Sequence, residues 1–172
     1  MKFWVLIPAR AGSTRLPNKP LLDIAGKPMI AHVIETAKKS GANKIIVATD
    51  DQRVKSVSET FGATAIMTSV HHESGSDRIA EVAKILDAPD NQIIVNLQGD
   101  EPLMPPGIIK KVAKLKEENK KAHVTTVATQ VENFNEILDP NCVKVILNQY
   151  NEAIYFSRSV IPYQRDKSNE SS

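Results

Sequence analysis

The stretch NKIIVATDDQRVKSVSETFGATAIMT, residues 43–68, decides the fold. NKIIVATD reads as a short β-branched strand, DQRVKSVSETFG as a helix stopped by Gly62, and ATAIMT as the next strand. Upstream, KFWVLIP is a first strand, and GKPMIAHVIETAKKSG places Met29, Ile30, Val33, Ile34 and Ala37 at helical spacing. That helix is expected to begin near Lys27, with Pro28 in its first turn and Gly41 as its stop. Such a βαβαβ series favours right-handed crossovers and parallel strands buried under helices, an α/β class.

Downstream, SGSDRIAEVAKILD is a helix whose start carries Ser74, Ser76 and Asp77, residues suited to capping it and complementing its dipole. NQIIVNLQGDEP is a strand running into a polar turn, and PGIIKKVAKLKEENKK a helix whose lysines need only solvation. HVTTVATQV, CVKVILN and AIYFSRSVIP read as further strands, with a short acidic segment around Asn133 to Leu138. One domain is expected over residues 1–162, and YQRDKSNESS, 163–172, as a polar, mobile tail.

The 172 residues are 41% hydrophobic and 24% charged, enough apolar material for one core. A net charge of +2 spreads no field that would draw a polyanion, so nucleic acid is not an expected partner. Cys142 is the only cysteine, which excludes an internal disulfide and a cysteine-rich zinc site and suits a reducing cytoplasm. The apolar run Phe3 to Ile7 is far too short for a signal-peptide core or a membrane span. A soluble, unexported cytoplasmic protein without a membrane partner is expected.

Four polar clusters fall at strand ends: the opening loop, VATDD, HHESGSDR and LQGDEP. Open α/β sheets bind ligands beyond the carboxyl ends of their strands. In PARAGSTRLPNKPL, residues 8–21, Gly12, Ser13 and Thr14 let backbone amides approach an anion while Arg10, Arg15 and Lys19 supply positive charge. A triphosphate suits that loop, although by themselves the same cations would also suit a solvated surface. Pro20 follows Lys19 where a Walker loop needs Ser or Thr, and no Gly-x-Gly-x-x-Gly run occurs. His71, His72 and Glu73 are adjacent and lack the usual spacing of metal ligands.

Gly12-x-Thr14-Arg15-x-Pro17-x-Lys19-Pro20, followed by DIAGKPMI, resembles the signature loop of sugar nucleotidyltransferases. With IPAR, SGSDRIAEV, NLQGDEP and YFSRSVIP, the likeness narrows to the 3-deoxy-manno-octulosonate cytidylyltransferases, the CMP-Kdo synthetases, over nearly the whole chain. The resemblance implies a Rossmann-like three-layer nucleotidyltransferase fold with a mostly parallel central sheet, residues 1–162 forming its nucleotide-binding domain. It also implies transfer of CMP from CTP to 3-deoxy-D-manno-octulosonate (Kdo), with Mg2+, giving CMP-Kdo and pyrophosphate for lipopolysaccharide biosynthesis. Related possibilities are a sialic-acid-type acceptor, a different base, or an inactive CTP-binding fragment.

By the same resemblance, Arg10, Ser13, Arg15 and Lys19 hold the triphosphate and Asp100 holds Mg2+. Gly75, Ser76 and Arg78 match the segment at the cytosine end of CTP, and the Ala9 carbonyl is a candidate acceptor for the cytosine amine. Gln98 and Arg158 match positions facing Kdo. Glu101 is read as structural, and Lys144 is left open.

Two positions depart from the family pattern: Asn18 replaces a usual glycine, and Gly12 stands where another residue is often found. That pattern also continues past Ser172 with a dimer-forming region, further sugar-acid contacts and a second metal-binding aspartate. A homodimer is thus expected of the complete protein, and weak metal retention and weak turnover of these 172 residues.

Overall fold

In the computed structural model, residues 1–12 and 16–163 are described. Ser13, Arg15 and residues 164–172 of the expected tail lie outside them. The chain runs β1 (Phe3–Ala9), β2 (Asp23–Ile24), β3 (Lys27–Pro28), α1 (Met29–Lys39), β4 (Lys44–Thr49), α2 (Gln52–Thr60), β5 (Thr64–Met67), α3 (Gly75–Ile85) and β6 (Ile93–Asn96). It continues with α4 (Pro106–Glu118), α5 (Phe134–Leu138), β7 (Lys144–Leu147) and β8 (Ala153–Ser157). These elements fall into two compact units, Met1–Thr125 and the chain from Thr126 onward.

Strand β1 organises the first unit because both of its faces are apolar. Phe3, Val5, Ile7 and Ala9 pack with Ile30, Val33 and Ile34 of α1, Val54 of α2 and Ile109 of α4. Trp4 and Leu6, on the alternate face, meet Ile79 and Val82 of α3. Helices therefore cover both sides of one sheet. Leu6 and Ile7 are fully buried, and truncating either to alanine should cost about 2–5 kcal/mol.

The sheet has the order β5-β4-β1-β6 and is parallel throughout, with Val5 beside Ile45 on one flank and Val95 on the other. This is the expected three-layer α/β arrangement. Strand order reverses at β1, so β4 and β6 leave it in opposite directions and a crevice opens beyond the carboxyl ends of β1 and β6.

Helix α1 begins at Met29 rather than near Lys27, and Pro28 is its N-cap rather than a first-turn residue. Lys27 precedes a proline, which disfavours helical backbone. Lys27 and Pro28 instead pair antiparallel with Asp23 and Ile24 around Ala25 and Gly26, whose φ angles are 52° and 82°. Gly41, at φ 81°, follows the helix as expected.

HVTTVATQV forms no strand. Val124 and Val127 are exposed, and β-branched composition makes a strand only where the segment pairs with a neighbouring strand.

In the second unit, β7 and β8 form an antiparallel pair with Val145 opposite Phe156. Lys144 is buried there, and its ammonium donates to the carbonyls of Asp139, Cys142 and Arg158 at 2.9, 2.7 and 2.8 Å. Its donors are thus spent on main-chain acceptors within its own unit.

Candidate active site

A cavity of about 570 Å³ lies in the first unit at the strand-order reversal. Pro8, Ala9 and Arg10 enter it from the end of β1, Lys19 from the following loop, and Gln98 and Asp100 from the segment after β6. The opening loop and LQGDEP therefore converge, and Ser74, Gly75 and Arg78 bring in the HHESGSDR cluster as a third.

Gly99 makes that convergence possible. A Cβ built there would stand 2.7 Å from the Pro8 carbonyl oxygen, so only glycine lets this segment lie against the end of β1. Gly75 is similarly close, with a Cβ at 3.1 Å from Pro8 Cγ, and it opens α3 directly on the cavity.

Lys19 Nζ donates to Asp100 Oδ2 at 2.7 Å. Their side chains are 36% and 50% exposed, so both remain reachable by a ligand. The next residue, Glu101, has its carboxyl pushed above the usual range, first by burial and then by the charge of Asp100. One carboxylate completed by phosphate oxygens is a donor set that suits Mg2+. Among the described residues, no three His, Cys, Asp or Glu side chains gather into a protein-only metal cage.

The α3 wall is set by caps and buried pairs. Ser74 is the N-cap, its hydroxyl accepting from the Asp77 amide at 3.1 Å. Ser74, Gly75 and Arg78 line the cavity; Ser76, in the exposed first turn, does not. Arg78 is only 2% exposed, and its guanidinium donates to Thr68 Oγ1 at 2.5 Å and Asp50 Oδ2 at 2.8 Å. Asp50 Oδ1 accepts from the Ala11 amide at 3.2 Å. One carboxylate thus joins α3 to the start of the loop after β1.

Residue spacing in HHESG did not reveal that His72 and Glu73 also line the cavity. His72 Nε2 lies 2.5 Å from Glu81 Oε2, and this contact, ahead of the Ser69 amide, lowers the Glu81 carboxyl pKa. The only available signal was the position of this cluster beyond a strand end. Gln98 is exposed on the cavity wall, its amide 3.3 Å from Asn96 Oδ1. Arg158 belongs to the second unit, where Nη1 donates to the Pro140 carbonyl at 2.6 Å.

A reversed parallel sheet whose crevice brings cations from one strand end to a carboxylate from the next defines an α/β fold of the nucleotidyltransferase type. Residues 4–172 match the family described as Cytidylyltransferase, and the chain belongs to that family. It is 53% identical over 168 residues to the 3-deoxy-manno-octulosonate cytidylyltransferase of Haemophilus influenzae (strain 86-028NP), covering 97% of this chain and 65% of that protein. Identity to the protein of the same name from Thioalkalivibrio sulfidiphilus is 53% over 166 residues, 96% of this chain and 66% of the relative. The solved structure of a CMP:2-keto-3-deoxy-manno-octonic acid synthetase complexed with CTP superposes with a TM-score of 0.84 at 44% identity, covering 96% of this chain and 68% of that one. The chain therefore spans about two thirds of the length of the relatives it matches. Among the described residues, no helix is long and apolar enough to cross a membrane.

Proposed function

We propose that the protein transfers CMP from CTP to Kdo, releasing pyrophosphate. The observation that carries this reading is the placement of Arg10, Lys19 and Asp100 around one crevice at the strand-order reversal. The names of the relatives, and the CTP in the complex of the synthetase it resembles, support the choice of nucleotide and acceptor.

The Kdo anomeric hydroxyl attacks the α-phosphorus and loses its proton, while the bond to the bridging oxygen breaks and pyrophosphate departs. Negative charge grows on that leaving group, so Arg10 and Lys19, with Ser13 and Arg15, act by holding it in cationic surroundings. Asp100 would hold Mg2+, which when bound neutralises phosphate oxygens and orients them. Lys19 then exchanges its carboxylate partner for phosphate. Gly75 lies on the cytosine side, Arg78 holds that wall through its bonds to Thr68 and Asp50, and the Ala9 carbonyl accepts from the cytosine amine, a group uracil lacks. Gln98, on the cavity wall, faces the sugar acid. A homodimer and a cytoplasmic setting complete the proposal.

Calorimetric titration with CTP and UTP in Mg2+ tests the nucleotide, and pyrophosphate release with Kdo tests the acceptor. CTP binding in preference to UTP is expected. Equal binding, or preference for UTP, overturns the cytosine assignment; CTP turnover with a sialic acid but not with Kdo overturns the acceptor.

A further inference from the structure

We infer that Arg53, outside the cavity, is a positioning residue for Lys19, acting through Asn18; this rests on the proposed role of Lys19 at the triphosphate. Asn18 directly precedes Lys19 and adopts the left-handed conformation, φ 55° and ψ 25°, that favours glycine and tolerates asparagine. Its side chain has a partner. Arg53 Nη2 donates to Asn18 Oδ1 at 2.6 Å.

Arg53 is itself held. Its Nε lies 3.1 and 3.2 Å from the two carboxylate oxygens of Asp51, and Nη2 is 2.6 Å from Oδ2. Asp51 is held in turn as the N-cap of α2, accepting from the amides of Arg53 and Val54 at 2.7 and 3.3 Å. A rigid helix start thus reaches, through one planar guanidinium, to the residue before Lys19. Asn18 N donates to the Ala11 carbonyl at 3.1 Å and its own carbonyl accepts from Leu21 N at 2.8 Å, while the Lys19 carbonyl accepts from Leu22 N at 3.2 Å, so the backbone is held on both sides of Lys19. A glycine at position 18 would allow the same turn but would have no side chain to tether. Asparagine adds the tether, and Arg53 is the group that uses it.

The Arg53 side chain is 62% exposed, so the contact adds little to global stability and its effect should be seen in ligand affinity. Calorimetric titration of the 172-residue chain with CTP and Mg2+ tests the inference, using Arg53→Ala, Asn18→Gly, Lys19→Ala and the pair Lys19→Ala with Arg53→Ala. Arg53→Ala and Asn18→Gly should each weaken CTP binding about three- to tenfold with urea midpoints close to wild type. In the Lys19→Ala background, Arg53→Ala should change nothing further. Should Arg53→Ala fold poorly, Asn18→Gly carries the test, because it leaves the Arg53–Asp51 pair in place. Wild-type affinity in both single variants, or an equal loss with and without Lys19, overturns the inference. A Lys19→Ala variant that binds CTP like wild type overturns instead the role of Lys19 on which it rests.

Discussion

Lys19 Nζ and Asp100 Oδ2 lie 2.7 Å apart although 81 positions separate them in the chain. The loop after β1 and the segment after β6 meet at this pair, where a cation suited to phosphate neutralises a carboxylate suited to a metal. Lys19→Ala should reduce CTP affinity at least about tenfold, the loss of one charge-assisted contact, while moving the urea midpoint little because the pair is exposed. Calorimetry and urea denaturation on one preparation check both halves; a large stability loss with unchanged affinity would make the pair purely structural.

Gly99→Ala should be destabilising by about 1–3 kcal/mol, since the added methyl meets a backbone oxygen that cannot swing aside. The same displacement moves Asp100, so CTP affinity in Mg2+ should fall along with the urea midpoint. A variant of wild-type stability would show that the β6 segment tolerates a wider approach to β1.

Asp50 and Arg78 form a buried pair, their side chains 13% and 3% exposed. Removing the carboxylate by Asp50→Ala leaves a desolvated guanidinium and should cost about 3–5 kcal/mol in chemical denaturation. Asp50→Asn keeps hydrogen-bonding atoms and should cost less. Equal losses from the two variants would mean that the hydrogen-bonding atoms contribute nothing beyond the charge at this site.

The Asp51 carboxyl is pulled down to about 2, chiefly by the Arg53 guanidinium and then by the amides it caps. Its folded value is below its unfolded one, so the stability it contributes is fully present above about pH 4. That contribution is lost as pH falls from about 4 toward 2. Carboxyl-resolved NMR should give a midpoint near 2 for Asp51. Arg53→Ala should move it upward, and a midpoint unchanged in that variant would remove the guanidinium as the cause.

Much of the fold was legible in the chain because apolar periodicity is a local property. The alternating faces of Phe3 to Ala9 and the helical spacing of Met29 to Ala37 encode a strand buried on both sides and a helix lying on it. Strand-end clusters likewise marked the crevice, since a parallel sheet sends its carboxyl ends to one side. Lys27 and Pro28 misled because a two-residue hairpin competes with the helix start, and HVTTVATQV because strand composition in a segment that pairs with no strand leaves it exposed.

By itself, then, the sequence determined the α/β class, the loop cations, the glycines and the family, all carried by residues near one another in the chain. Only tertiary structure decided that Lys19 meets Asp100, that Arg78 is committed to Asp50 and Thr68, and that Asn18 is tethered by Arg53. Each of those contacts joins residues that local pattern leaves independent. The physical reason is packing: the order of four parallel strands sets which loop ends share a crevice, and burial then sets which charges must find partners.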